Sequence, residues 1–206
     1  KLRFPVLVMI VSISGLSQGM LLPLIAVILE QQGVSPVING LHATGLYIGI
    51  LLASPFMETP LRRFGYKPLI IAGGFTVVIS LFLFTVWESV IFWFILRLII
   101  GIGDHALHFA SQTWITSFSS ADKRGRNISL YGLSFGVGFA VGPLLTQLVQ
   151  INENLPFIIT GILSLFACLT IFLIKNEYPD TYDHQVETYS IRSTVQRFGK
   201  VVKYAW

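Results

Sequence analysis

Charge is scarce in this chain. Acidic and basic residues make up 12% of its 206 residues, about half the share expected of a soluble domain, where they approach a quarter. Cysteine occurs once, as Cys168, so no intrachain disulfide can form and an inert buried thiol is the expected state. No glycine-rich phosphate loop of the Walker pattern occurs, which leaves direct use of ATP without its motif. What fills the chain is apolar: 53% of residues are hydrophobic and the mean hydropathy is +0.72.

A bilayer core about 30 Å thick takes roughly 20 predominantly apolar residues per helical span. Six stretches meet that length: 4–29, 39–57, 68–86, 89–118, 127–150 and 155–174. With no water to satisfy the backbone, spanning segments are helices or a closed barrel, and runs this long and continuous exclude the short alternating strands of a barrel. The fold class is therefore all-α, a polytopic membrane protein. The start of the chain has basic residues before an apolar run, as a signal peptide does, but that run continues to Leu29 without a small-residue cleavage site and reads as a span. A chain that opens on Lys1 is expected to be trimmed at its front.

The linkers after the second and fourth spans, together with both chain ends, hold Lys1, Arg3, Arg62, Arg63, Lys67, Lys123, Arg124, Arg126, Lys175, Arg192, Arg197, Lys200 and Lys203. The opposite linkers hold only Glu30, Glu88 and Glu153. The positive-inside rule makes the basic side, and both termini, cytoplasmic, with the plasma membrane the expected location. The net charge of +4 is then a topology signal and not a nucleic-acid footprint.

The spans divide into two triplets. The middle span of each, "NGLHATGLYIGILLASPFME" and "NISLYGLSFGVGFAVGPLLTQ", is glycine-rich with a proline toward one end, Pro55 and Pro143. Three helices reverse the direction of travel, so the triplets would be inverted repeats with a binding site near the midplane. Residues 1–175 make up the six-helix bundle; residues 176–206 turn polar and read as a cytoplasmic linker. Within it, Ile191, Val195, Phe198 and Val202 share one face of a basic amphipathic helix suited to the anionic inner leaflet.

The loop "FMETPLRRFGYKPLI" resembles the loop between helices two and three of the major facilitator superfamily. Arg63, Gly65 and Lys67 match that pattern; Glu58, Arg62 and Tyr66 depart from it, and Glu58 is placed to supply a gating carboxylate from one turn away. In the fourth span Trp93, Arg97, Gly101 and Gly103 are similar to the family's second motif, with Asp104 and His105 where small residues usually close it. In the fifth, Gly138, Gly142 and Pro143 resemble the antiporter motif, with Thr146 replacing a later glycine. The resemblance implies the N-terminal half of a twelve-helix transporter, similar to bacterial drug and proton antiporters. Its partners would be the lipid bilayer, a small-molecule substrate, protons, and either a second six-helix half or a second copy of the chain.

The segment "LRLIIGIGDHALHFASQ" puts four ionisable groups inside an apolar span. Positions seven and eleven apart return to one helical face, so Arg97, Asp104 and His108 form a stripe with His105 aside. Ionisable groups at membrane depth line cavities or pair with one another. Asp104 and His108, one turn apart, are expected to pair, and Asp104 to answer Arg97 through water. Two readings stand: a proton relay coupled to substrate passage, or a structural network that orients the span. Further cavity candidates are Ser14 and Gln18, His42 and Tyr47, Gln112, and Tyr131 and Ser134. No cofactor is expected, and the reading is of a transporter without enzymatic chemistry. The alternatives are an intramembrane metal-dependent enzyme built on Asp104, His105 and His108, or a six-span scaffold that transports nothing.

Overall fold

In a computed structural model, which describes residues 2–179, six helices are long and apolar enough to cross a membrane. They are α1 (Arg3–Gln31), α2 (Pro36–Ala53, prolonged by the 3-10 turn Ser54–Phe56), α4 (Tyr66–Leu83), α5 (Val90–Phe118), α6 (Ala121–Val141) and α7 (Leu155–Thr170, prolonged by Ile171–Leu173). A seventh helix, α3 (Glu58–Phe64), lies in the loop between α2 and α4. No strand occurs among the described residues. The amphipathic segment expected near Ile191 lies outside them.

Local chemistry sets the ends. Ser35 and Ser89 accept from the backbone N–H three residues on, capping α2 and α5, and Pro36 follows at the first helical position. The fifth span differs from the single helix expected over 127–150. It begins earlier, at Ala121, and beyond Val141 the α-helical ladder gives way to a 3-10 run, Gly142–Gln150. Pro143 has no N–H to continue an α-helical bond, which accounts for the change. The loop expected around Glu58 is a short helix instead, with Glu58 in its first turn and Arg62 and Arg63 in its last, both favourable to the helix dipole.

Lipid tails are as apolar as leucine, so helices in a bilayer associate through close backbone packing and polar contacts rather than hydrophobic burial. The contacts follow a pseudo-twofold plan. The fifth span packs along α1 and the second along α5, whereas α1 with α2, and α5 with α6, barely touch. Each middle helix thus leans on the first helix of the other triplet. Glycines make both crossings. A Cβ at Gly138 or Gly142 would meet the backbone of Ser12 and Leu16 in α1, and one at Gly49 or Gly101 would meet the backbone of the facing helix in the α2–α5 pair. Gly132 and Gly136 have open space around them, so the small-residue packing expected of the whole glycine row holds for only half of it.

At the end of the bundle where α3 lies, a clasp closes the chain on itself. Lys67 Nζ donates to the Ile174 carbonyl at 2.8 Å, and the Asn176 side chain bonds Phe64 O and Lys67 N at 3.0 Å each. Glu177 takes Arg3 at 2.5 Å and the Trp114 indole N–H at 2.8 Å, while its carbonyl accepts from Tyr66 N at 3.0 Å. Trp114 in turn stacks on Tyr66, ring centroids 5.3 Å apart. Asn176 and Glu177, assigned by composition to the linker, are therefore bonded to the bundle.

Candidate functional site

The buried face of α5 carries Arg97, Gly101 and Asp104 in register, with His108 one turn further and half-buried. Asp104 is 3% exposed. Its two oxygens take separate donors from α1: Ser14 Oγ donates to Oδ1 at 2.5 Å and Gln18 Nε2 to Oδ2 at 2.5 Å. His108 Nε2 lies 3.4 Å from Oδ2 and 3.2 Å from Ser14 Oγ. On the far side of the ring, Nδ1 is 2.8 Å from the Tyr131 hydroxyl of α6. The result is a continuous polar chain, Gln18 and Ser14 to Asp104 to His108 to Tyr131, crossing three helices.

Polar groups at membrane depth need partners within the protein, and the two α1 donors give each oxygen of the Asp104 carboxyl group one. The chain also has two proton configurations. With a single ring proton, on Nε2 toward Ser14 Oγ, Nδ1 accepts from Tyr131; with protons on both ring nitrogens, both donate and Tyr131 must accept. Moving a proton onto the ring reverses one hydrogen bond to a different helix. The ring is held edge-on to Tyr131 and Phe135, at centroid distances of 5.9 and 5.3 Å.

This chain lines one wall of a cavity of about 410 Å³ bounded by α1, α2, α5 and α6. Gln18, Tyr47, Asp104, His105, His108, Gln112 and Tyr131 all reach it, with Ile50, Gly132, Phe135 and Phe139 as its apolar lining. Cavities of about 300–1,000 Å³ with a few convergent polar groups are the usual form of small-molecule sites. Ser134 is not among the lining residues: its hydroxyl donates to the Leu130 carbonyl of its own helix at 2.7 Å, the back-bonding open to any helical serine. Ser14 faces the opposite side of Asp104 and touches the cavity only through it.

Arg97 has a direct partner that the spacing along α5 did not indicate: its Nη1 lies 3.4 Å from His42 Nδ1, and both side chains are buried. His105 lines the cavity with its Nε2 buried and unbonded among the described residues. Among those residues no three of histidine, cysteine, aspartate and glutamate gather in a metal-holding group, so Asp104, His105 and His108 do not form the triad that the metalloenzyme reading needs.

In the loop, Glu58 Oε1 accepts from Arg62 Nε at 2.9 Å and Nη2 at 2.7 Å, one turn apart as the spacing predicts. Gly65 turns the chain at φ +88°, Lys67 joins the clasp to Ile174, and Arg63 lies over the Phe64 ring at 5.2 Å. Sequence reasoning missed Glu177, the acceptor for the buried Trp114 indole N–H.

The family model for the Major Facilitator Superfamily matches residues 7–204. The chain belongs to that superfamily. The uncharacterized MFS-type transporter YfkF of Bacillus subtilis is 56% identical over all 206 residues, which cover 52% of its length. Multidrug resistance protein 1 of the same bacterium is 25% identical over 80% of this chain and 43% of its own, and quinolone resistance protein NorA of Staphylococcus aureus 23% identical over 79% and 42%. Among solved structures, a bacterial homolog of the human lysosomal transporter Spinster, inward-facing and unoccupied, superposes with a TM-score of 0.68 at 16% identity, over 96% of this chain and 48% of that one. That likeness concerns the fold. The chain is thus an integral membrane protein of the superfamily that spans about half the length of the curated relatives it matches.

Proposed function

We propose that this chain forms the N-terminal six-helix half of a proton-coupled transporter that exports a small organic molecule across the plasma membrane by alternating access, with both ends of the bundle's chain on the cytoplasmic side. The observation that carries the reading is the polar chain from Gln18 to Tyr131 along the cavity wall. A carboxylate and an imidazole that share a proton site, with one hydrogen bond whose direction depends on that proton, give a substrate cavity a means of sensing protonation. Because the reversed bond reaches α6, a protonation event changes the hold of α5 on the helix that bears the antiporter-like Gly138, Gly142 and Pro143. The basic loops support the orientation, and the relatives' printed names, multidrug and quinolone resistance, support export of organic compounds.

The second six-helix half would cover the cavity. Its docking faces are α2 and α6, whose apolar windows are 28% and 17% buried against 44–56% for the other four spans. Alternating access needs two bundles rocking about one site, and a chain half the length of its relatives supplies one.

The test uses the full-length protein. Cells expressing it are challenged with a panel of toxic organic cations, anions and neutral compounds, and intracellular accumulation is measured with and without a protonophore. The expected result is lowered accumulation of at least one compound, restored by the protonophore and by Asp104→Asn or His108→Gln. Export that persists at full rate and full proton dependence in both variants would remove the relay. A protein with normal surface expression that changes accumulation of none of the compounds would count against transport itself.

A further inference from the structure

Arg97 is a cation buried to 3% exposure two turns into a 29-residue spanning helix. Buried charges at this depth are normally answered by opposite charge. Among the described residues the ion pairs are Arg3 with Glu177 and Arg62 with Glu58, Asp104 lies against the His108 ring, and no carboxylate lies within ion-pairing reach of Arg97. Its one polar side-chain contact is the 3.4 Å approach to His42 Nδ1, and His42 Nε2 is itself buried with no hydrogen-bond partner among the described residues. A guanidinium has five N–H donors in a fork suited to two oxygens, so the pair carries more donors than its surroundings accept.

The guanidinium lines a recess of about 20 Å³ beside Gln18, Tyr47 and Phe139, and those three residues also line the 410 Å³ cavity. The recess holds about one water-sized group, while the cavity it adjoins holds a small organic body. Asp104, the other charged group of the cavity, is already engaged by Ser14, Gln18 and His108.

We infer that Arg97 is the anion-recognition residue beside the substrate cavity: the transported molecule carries a carboxylate or similar oxyanion, one oxygen of which enters the recess at Arg97 while its apolar body lies against Ile50, Phe135 and Phe139. This rests on the reading of the cavity as the substrate site. The proton pair and the anion site then occupy separate stations on α5, one turn on either side of Gly101 or beyond, so coupling and selectivity are separable by mutation.

The probes are three matched compounds, 4-phenylbutyrate, 4-phenylbutyramide and 4-phenylbutylamine, which share an apolar body and differ in charge. Binding to purified full-length protein is measured by calorimetry and by thermal shift at constant ionic strength, with no proton gradient. The wild type is expected to bind the anion at least tenfold more tightly than the amide or the amine. Arg97→Gln brings the anion down to the level of the amide, Arg97→Lys keeps part of the preference, and Ser134→Ala, outside the lining, leaves it intact. A wild type that binds amide or amine as well as the anion overturns the assignment, as does an unchanged preference in Arg97→Gln. If the Arg97 variants do not fold, the wild-type ranking alone decides. The outcome is separable from the transport test: selective anion binding without export would sink the transport reading and keep this one, and proton-driven export of cations alone would do the reverse.

Discussion

Replacing Gly138 with alanine adds one methyl group at the point where α6 crosses α1. That methyl would overlap the Ser12 carbonyl oxygen and crowd Leu16 N. Both neighbours are backbone, so no side chain can swing aside, and the helices must part by on the order of 1 Å to reach ordinary contact distance. Overpacking of this kind costs about 1–3 kcal/mol. Gly132, six residues earlier on the same helix, has nothing within 4 Å of its Cβ position, and alanine there should be neutral or slightly favourable through helix propensity.

The separation also reaches the polar chain. Gly15 and Gly19, which meet the backbone of Phe135 and Phe139, alternate along α1 with Ser14 and Gln18, the donors to Asp104. On the other side, α6 holds His108 through Tyr131 at 2.8 Å. Since α1 holds Asp104 and α6 holds His108 one turn along α5, widening their crossing by on the order of 1 Å takes at least one of these bonds past the usual hydrogen-bonding range. Gly138→Ala in the full-length protein should therefore lower the thermal midpoint by a few degrees and reduce proton-driven export by roughly tenfold, the factor that corresponds to about 1.4 kcal/mol. Gly132→Ala should do neither. Equal losses in the two variants, measured by thermal unfolding in detergent and by efflux from cells at matched expression, would refute the packing argument.

Three further outcomes follow from other contacts. Gly65→Ala meets both an unfavourable backbone conformation, φ +88° with ψ −179°, and the Glu177 carbonyl with the Asn176 side chain; a loss of about 1–3 kcal/mol is expected from the backbone conformation alone, with Gly65→Asn no milder in the same unfolding assay, because this region lies outside the left-handed one that asparagine tolerates. Glu177→Gln removes a partly exposed ion pair to Arg3 worth about 0.2–1 kcal/mol but keeps an acceptor for Trp114, whereas Glu177→Ala leaves the indole unbonded at about 1–3 kcal/mol; equal effects on tryptophan fluorescence and stability would contradict the clasp. Tyr131→Phe removes the hydroxyl facing His108 Nδ1, so the pH profile of export should move while binding of the matched probes holds; an unmoved profile would detach Tyr131 from the proton chain.

Hydropathy made the six spans legible because a bilayer imposes one length on every crossing, and the periodicity of α5 put Arg97, Asp104 and His108 on one face before any contact was known. Partner choice was another matter. One turn along a helix is local, so Asp104 with His108 and Glu58 with Arg62 could be read from spacing. The contacts between helices could not: Ser14 and Gln18 as the donors to Asp104, His42 beside Arg97, and Tyr131 behind His108 depend on which helices cross and at what height. Ser134 failed as a cavity residue because a serine in lipid can satisfy itself on its own backbone. The clasp was hidden by composition: Asn176 and Glu177 look like the opening of a polar linker, and only their partners on the far side of the sequence distinguish them.

The pseudo-twofold plan explains why the polar chain lies where it does. In each half of the bundle a middle helix is fixed mainly by one glycine-mediated crossing, α6 on α1 and α2 on α5, and these are the two spans that bury least of themselves. The groups most able to sense a proton or a substrate charge sit against those two helices: His108 touches α6 through Tyr131, and Arg97 touches α2 through His42. Charge changes on α5 are therefore delivered to the two helices on which the second half is proposed to dock, one per repeat. A double variant that removes both links, Tyr131→Phe with His42→Phe, should leave the glycine crossings and the fold intact yet lose more export than the product of the single losses, because each link moves a different wall of the same cavity. Losses that simply multiply would mean the two walls act independently.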